Sequence, residues 1–184
     1  MLAGLEWGAW VVVVFRLLVP LLMFRFPLWG GVAAFVADSI DVLLTKLIGH
    51  GELVNYILLD KILDSFALAI MVLVSFRWGR MVWVTSLVLF GWRLIGVVLI
   101  APDPFARQGL LLVFPALIGF FYLFCAARER YFPSFVFTPK SLAVVLLVLL
   151  VPKLMQEAIL HNAYVQSWPW LRTTVLIPLG IVPG

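Results

Sequence analysis

Long apolar stretches, separated by short polar or proline- and glycine-containing links, follow one another along most of this chain. Six of them lie at residues 7–26, 28–48, 54–76, 80–101, 108–126 and 138–158. Each is close to the roughly 20 residues with which an α-helix crosses a hydrocarbon layer about 30 Å thick. The pattern predicts six transmembrane helices, and the short links predict that neighbouring helices run antiparallel.

The composition supports a membrane protein and excludes a water-soluble globular domain. Of the 184 residues, 65% are hydrophobic and 12% are charged, whereas soluble domains have about 25% charged residues. The mean hydropathy is +1.16. We expect an all-α polytopic membrane protein in which residues 1–160 form a six-helix transmembrane bundle. Residues 161–184 are expected to form a tail along the membrane interface, where Trp168, Trp170 and Arg172 are typical anchors.

The charged and metal-ligating residues limit which partners and which kinds of metal site the protein can have. The 13 basic and 9 acidic side chains give a net charge of +4, but no basic run could follow a phosphate backbone, so we expect membrane lipids and not nucleic acid as partners. A single cysteine and two histidines exclude a disulfide framework and a Cys/His zinc site. A metal ion, if bound, needs oxygen ligands.

Four aspartates lie inside the second and third predicted helices. Asp38 and Asp41 are three residues apart, and Asp60 and Asp64 are four apart, so each pair shares one helix face. The hairpin turns near residue 51, which puts the two pairs at similar depth on antiparallel helices. The spacing therefore predicts that the four carboxylates converge.

Converging carboxylates in an apolar interior need compensation, and three solutions are open: a divalent cation, basic partners or protonation. Oxygen ligands select hard ions such as Mg2+ or Mn2+, and Ca2+ also fits. A pathway for cations or protons lined by carboxylates is a further alternative. The bases inside predicted helices that can neutralise the acids are Arg16, Lys46, Lys61 and Arg93.

The segments ADSIDVLLTK and YILLDKILD resemble the signature of the CDP-alcohol phosphatidyltransferase family, DxxDGxxAR followed by GxxxDxxxD. All four aspartates fall in register with the four acidic positions. FRLLVP in the first predicted helix is similar to the Arg and Pro of the family's opening helix, and WRLIG in the fourth puts a base where members often have one. The six-helix count and the chain length are also similar.

The chain departs from the family signature at four positions, of which Val42, Thr45 and Tyr56 would line the pocket wall. Val42 and Tyr56 stand where the family has glycine, and both fill space that a cytidine diphosphate needs near the backbone. Thr45 replaces alanine, and Lys46 replaces arginine, which leaves a point charge in place of a two-pronged phosphate ligand.

The resemblance implies a six-helix enzyme, dimeric by analogy, that moves a phosphate-bearing group from a CDP-linked lipid donor to an alcohol in phospholipid metabolism and releases CMP. A catalytically silent relative that serves as a subunit or stabiliser of a larger membrane complex is the alternative. The residue roles it implies are Asp38, Asp41, Asp60 and Asp64 as ligands of one or two Mg2+ or Mn2+ ions, Asp64 also as general base, and Lys46 and Arg93 as phosphate contacts.

Two predictions of sidedness conflict, although both agree with a multi-pass protein of a bacterial inner membrane or its equivalent. The resemblance turns the aspartate end of the bundle toward the cytoplasm. The positive-inside rule instead predicts that the opposite end of the bundle faces the cytoplasm. That end carries most of the basic residues near helix ends, namely Arg25, Arg77, Arg80, Arg128, Arg130 and Lys140.

Overall fold

The computed structural model describes residues 7–48, 56–102 and 113–171, with side chains except at 7–9, 39, 41–48, 56–58 and 156–171. These ranges are helical and contain no β-strand, so the predicted all-α class is confirmed. The α-helices are α1 (Trp7–Leu18), α2 (Pro27–Ile48), α3 (Tyr56–Ser75), α4 (Arg80–Ile100), α5 (Leu117–Tyr131) and α6 (Pro139–Leu171), with 3-10 segments at Val19–Phe24 and Phe76–Trp78.

Helices α2, α3 and α4 begin and end within two residues of the ranges that the apolar pattern predicts. Local sequence explains the starts. Pro27 begins α2, where its missing N–H costs nothing, and α4 follows Gly79, whose φ of 94° favours glycine. At the start of α6, the hydroxyl of Thr138 accepts from the Ser141 N–H at 3.1 Å, and the Ser141 hydroxyl accepts from the Thr138 N–H at 2.8 Å.

The first predicted helix, 7–26, is divided by Pro20. The α-helix ends at Leu18 and continues as the 3-10 segment Val19–Phe24, because a proline at this position has no N–H for the carbonyl of Arg16 and its ring crowds that carbonyl. By helix rise the two parts together are about 30 Å long. The predicted length of this element therefore holds, although its geometry changes midway.

The predicted range of the fifth helix, 108–126, is wrong at both ends. Residues 113–116 are not helical and α5 begins at Leu117, because Pro115 lacks an N–H donor and disfavours a helical conformation at Phe114. The helix continues to Tyr131 through residues with good helix propensity. With 15 residues, α5 is about 22 Å long.

The sixth helix is longer than the predicted range 138–158. Helix α6 has 33 residues and ends at Leu171, so residues 161–171 of the predicted tail continue it, and residues 172–184 lie outside the described chain. No glycine or proline occurs between Lys153 and Trp168, and nothing in that sequence therefore stops the helix.

Within the described ranges, one helix is long and apolar enough to cross a membrane, judged by its length and composition: α4, Arg80–Ile100. Its outer surface carries large apolar side chains, among them Leu87, Val88 and Val98, of which Val98 is 68% exposed. Helix α6 has a similar exposed stripe that includes Leu147, Val148 and Val151.

Helix α5 lies at the centre of the fold, in contact with α2, α3, α4 and α6. Ile118, Phe121, Tyr122 and Cys125 on this helix are almost completely buried. The phenol of Tyr122 donates to the carbonyl oxygen of Pro27 at 3.1 Å, which joins the centre of the fold to the start of α2.

Gly30 allows α2 to approach the backbone of the first 3-10 segment. A Cβ atom at this position would lie 2.5 Å from the Met23 nitrogen and 2.7 Å from the Leu22 carbonyl carbon. Both are backbone atoms that cannot move aside without shifting the segment. Because that segment follows directly on α1, the contact helps to orient α1 against α2.

We expect Gly30→Ala to lower the free energy of unfolding by about 1–3 kcal/mol, the usual cost of overpacking, when thermal unfolding is followed in detergent. Gly91→Ala is the matched control, because a Cβ atom there meets nothing within 4 Å. Equal unfolding temperatures for the two variants would contradict the close approach of α2 to this segment.

Candidate functional site

Three of the four aspartates meet between α2 and α3. Asp38 on α2 and Asp60 and Asp64 on α3 each offer one carboxylate oxygen, and these oxygens lie within 4.8 Å of one another. We call these three residues the carboxylate triad. The convergence predicted from the spacing is therefore confirmed for the triad.

The other residues predicted for the signature lie on described helices, but their side chains are outside the described part of the structure. They are Asp41, Val42, Thr45 and Lys46 on α2 and Tyr56 at the start of α3. Their roles as fourth metal ligand, pocket wall and phosphate contact remain predictions.

The guanidinium of Arg16, on α1, lies between the triad carboxylates. Its Nη1 donates to Asp60 Oδ1 at 2.7 Å, and its Nη2 donates to the Oδ1 atoms of both Asp38 and Asp64. The Arg16 side chain is 5% exposed. One buried cation therefore joins α1, α2 and α3.

Lys61 supplies a second positive charge to the triad. Its Nζ lies 2.6 Å from Asp60 Oδ2 and 3.4 Å from Asp64 Oδ2. Ion pairing, one of the three solutions expected from the sequence, is thus realised by Arg16 and Lys61. Among the side chains that the structure describes, Arg16 and Lys61 thus bring two positive charges into contact with the three carboxylates of the triad.

A cavity of about 160 Å³ opens beside the triad. Its charged lining has more bases than acids, namely Arg16, Lys61, Arg93 and Lys153 against Asp38 and Asp64. The rest of the wall is mainly apolar and includes Phe35, Leu68, Met71 and Phe120. A cavity of this kind suits an amphiphile with an anionic group better than a free cation.

Arg93 is the predicted phosphate contact that lines this cavity. It is 4% exposed, and its Nη1 donates to the carbonyl oxygen of Phe114 at 2.8 Å. Gly96, one turn further along α4, lets Phe114 come close, since a Cβ atom there would lie 2.5 Å from the Phe114 Cβ. The hydrogen bond to Phe114 holds the guanidinium of Arg93 in the cavity wall.

Sequence reasoning underrated two of the residues in this region. Arg16 was one of four bases able to neutralise the acids, and only the Arg and Pro of FRLLVP marked it as special. The sequence favours an intrahelical pair of Lys153 with Glu157, one turn further along α6. In the structure Lys153 lines the cavity; it is 7% exposed, and its Nζ lies 5.9 Å from the centre of the Phe120 ring.

The carboxylate triad fits a hard divalent cation by its donor chemistry, because all its ligands are carboxylate oxygens. Three oxygens bound to one octahedral Mg2+ ion include at least two pairs about 2.9 Å apart, so carboxylates spaced by up to 4.8 Å would have to move closer together around the ion. Arg16 contacts one oxygen of each of the same three carboxylates. A divalent cation held by those oxygens would take the place of the guanidinium.

In comparisons with known proteins, no family model, no curated protein and no solved structure matches the chain. The similarity to CDP-alcohol phosphatidyltransferases therefore rests on the four aspartates and on the FRLLVP and WRLIG segments.

We expect Arg16→Met to lower the free energy of unfolding by about 1–3 kcal/mol in detergent with a chelator, because it leaves Asp60 and Asp64, which are partly buried, without the cation they share with Asp38. Adding Asp64→Asn should recover part of this loss by removing one of the repelling charges. Thermal unfolding measures both effects. Arg80→Met, at an exposed position at the start of α4, is the control, and an equal loss there would contradict a special role for Arg16.

Proposed function

We propose that this chain is an integral membrane phosphotransferase of the CDP-alcohol phosphatidyltransferase type. It transfers a phosphate-bearing group from a CDP-linked lipid donor to an alcohol, with release of CMP, in phospholipid metabolism. The observation that carries the proposal is the convergence of Asp38, Asp60 and Asp64 beside a cavity with basic and apolar walls. Acids that can hold a metal and bases that can hold a phosphate thus share one site.

A polytopic arrangement of the helices in the bilayer is part of the proposal. Large apolar side chains are exposed on α1, α2, α4 and α6, far beyond the isolated patches that a soluble monomer presents to water. In a bilayer, lipid chains would cover this apolar surface, so its exposure would carry no free-energy penalty. Arg16, Lys61, Asp60 and Asp64 are instead mostly buried between helices, as ionisable groups in membranes usually are, whereas the Asp38 side chain is half exposed.

The acidic and basic residues of the site have different proposed roles. The triad, with Asp41 as the resemblance implies, would hold Mg2+ or Mn2+, which supplies positive charge to the pyrophosphate and to its leaving oxygen. Arg93 faces the same cavity and would hold the phosphate, while Phe35, Leu68 and Phe120 would contact the apolar part of a lipid substrate. A buried, partly apolar cavity favours a lipidic donor or acceptor.

Asp64 is the proposed general base. The acceptor oxygen forms a bond to the phosphorus of the transferred group, the bond from that phosphorus to the CMP oxygen breaks with its electron pair leaving on CMP, and the hydroxyl proton passes to Asp64. Its Oδ1 contacts Arg16, whereas its Oδ2 lies 3.4 Å from Lys61 Nζ, which is a weak contact. We therefore assign proton transfer to Oδ2.

The test is CMP release by the purified chain in lipid vesicles with CDP-linked lipids and a panel of alcohols. We expect release that requires Mg2+ or Mn2+ and falls about 10²–10⁴-fold in Asp64→Asn, the usual contribution of a general base. Glu129→Gln, an acid on α5 paired with Arg128, should keep wild-type activity. Metal-independent release, or full activity in Asp64→Asn, would refute the proposed reaction.

A second candidate, a silent relative that serves as a subunit or stabiliser of a larger membrane complex, is favoured by the contacts of Arg16. Its guanidinium contacts each carboxylate of the triad, and such a cluster can tie three helices together without any reaction. In this case the aspartates would serve folding alone.

The second candidate predicts that the chain co-purifies from its native membrane with the same partners whether or not it carries Asp64→Asn. Affinity purification followed by mass spectrometry measures this. Loss of the partners in Asp64→Asn, together with intact folding, would count against a purely structural role, and CMP release would exclude a silent one.

A further inference from the structure

We propose that Arg16 and a divalent cation are alternative occupants of the carboxylate triad, so that Arg16 sets the metal affinity of the site and stabilises it when no metal is bound. This inference rests on the proposed function, because it takes the triad as a metal site. It adds a role for a residue to which the family signature assigns no metal chemistry.

The guanidinium of Arg16 contacts every member of the triad. Its Nη1 contacts Asp60, and its Nη2 contacts both Asp38 and Asp64. A cation held by one oxygen from each of these residues would occupy the same position between them. The two cations therefore exclude each other sterically.

Among the described side chains, Arg16 and Lys61 bring two positive charges to the three triad carboxylates. Exchange of Arg16 for a divalent ion would raise this to three positive charges for three described carboxylates. A divalent ion and the guanidinium side by side would instead repel at short range in a region of low dielectric constant.

The cavity beside the triad offers space for the displaced side chain of Arg16. Arg16 itself lines the cavity of about 160 Å³ beside the triad, and a long arginine side chain can swing its guanidinium into that space by rotamer changes. There it would join the basic wall formed by Arg93 and Lys153. Metal binding would thus make the cavity more positive and better suited to a phosphate group.

Binding of Mn2+ to the full chain in detergent, followed by the electron paramagnetic resonance signal of free Mn2+, tests the exchange. We expect Arg16→Met to bind Mn2+ at least tenfold more tightly than wild type. Lys61→Met is the matched control: it removes the same charge from Asp60 and Asp64 but leaves Arg16 between the carboxylates, so its gain should be clearly smaller. Equal gains, or no gain in Arg16→Met, would overturn the proposal.

Thermal unfolding gives a second readout. Mn2+ should raise the unfolding temperature of Arg16→Met more than that of wild type, because in the variant no guanidinium occupies the position between the triad carboxylates. If Arg16→Met does not fold, Arg16→Lys replaces it, since lysine keeps one charge but loses the forked contacts. Tighter Mn2+ binding than wild type is again expected, and unchanged or weaker binding overturns the proposal.

The outcomes separate this inference from the proposed function. Equal Mn2+ affinity in wild type and Arg16→Met, with CMP release that still requires metal, overturns the exchange alone. If neither protein binds Mn2+, both the metal site and the exchange are overturned.

Discussion

A shared cation between three closely spaced carboxylates is the constraint on which the rest of this structure depends. Carboxylates this close, two of them largely buried, need a cation between them or a proton on one of them. Arg16 meets that requirement from a third helix, and it fixes the rotation of α1 relative to α2 and α3. The close approach at Gly30 orients the 3-10 segment that follows α1, and Arg16 on α1 also lines the cavity beside the triad.

Much of the fold could be predicted from the sequence, and the exceptions have physical causes. Helices α2 to α4 match the apolar pattern because Pro27 and Gly79 mark clear starts. The pattern fails at Pro20 and Pro115, since both prolines lie inside continuous apolar runs and act through a missing N–H that hydropathy does not register. It also misses the length of α6, whose later turns are polar enough to look like a tail but contain no helix-breaking residue before Trp168.

The carboxylate triad was predictable for a different reason from the residues around it. Spacings of three and four residues put each pair of aspartates on one face of its helix, and similar distances from the hairpin turn put the two pairs at similar depth. The reach of Arg16 depends on how α1 rotates against its neighbours, and the position of Lys153 depends on how α6 packs against α5. Neither is encoded in local spacing. The cavity charge, which decides between anion and cation binding, therefore emerges only from the assembled helices.

The most direct test is an experimental structure of the chain in lipid or detergent with Mn2+ and a CDP-linked lipid, with anomalous scattering used to locate manganese. The account predicts a manganese peak between Asp38, Asp60 and Asp64, with the guanidinium of Arg16 turned toward Arg93. A guanidinium that still bridges the three carboxylates, with no manganese beside them at saturating concentration, would contradict it.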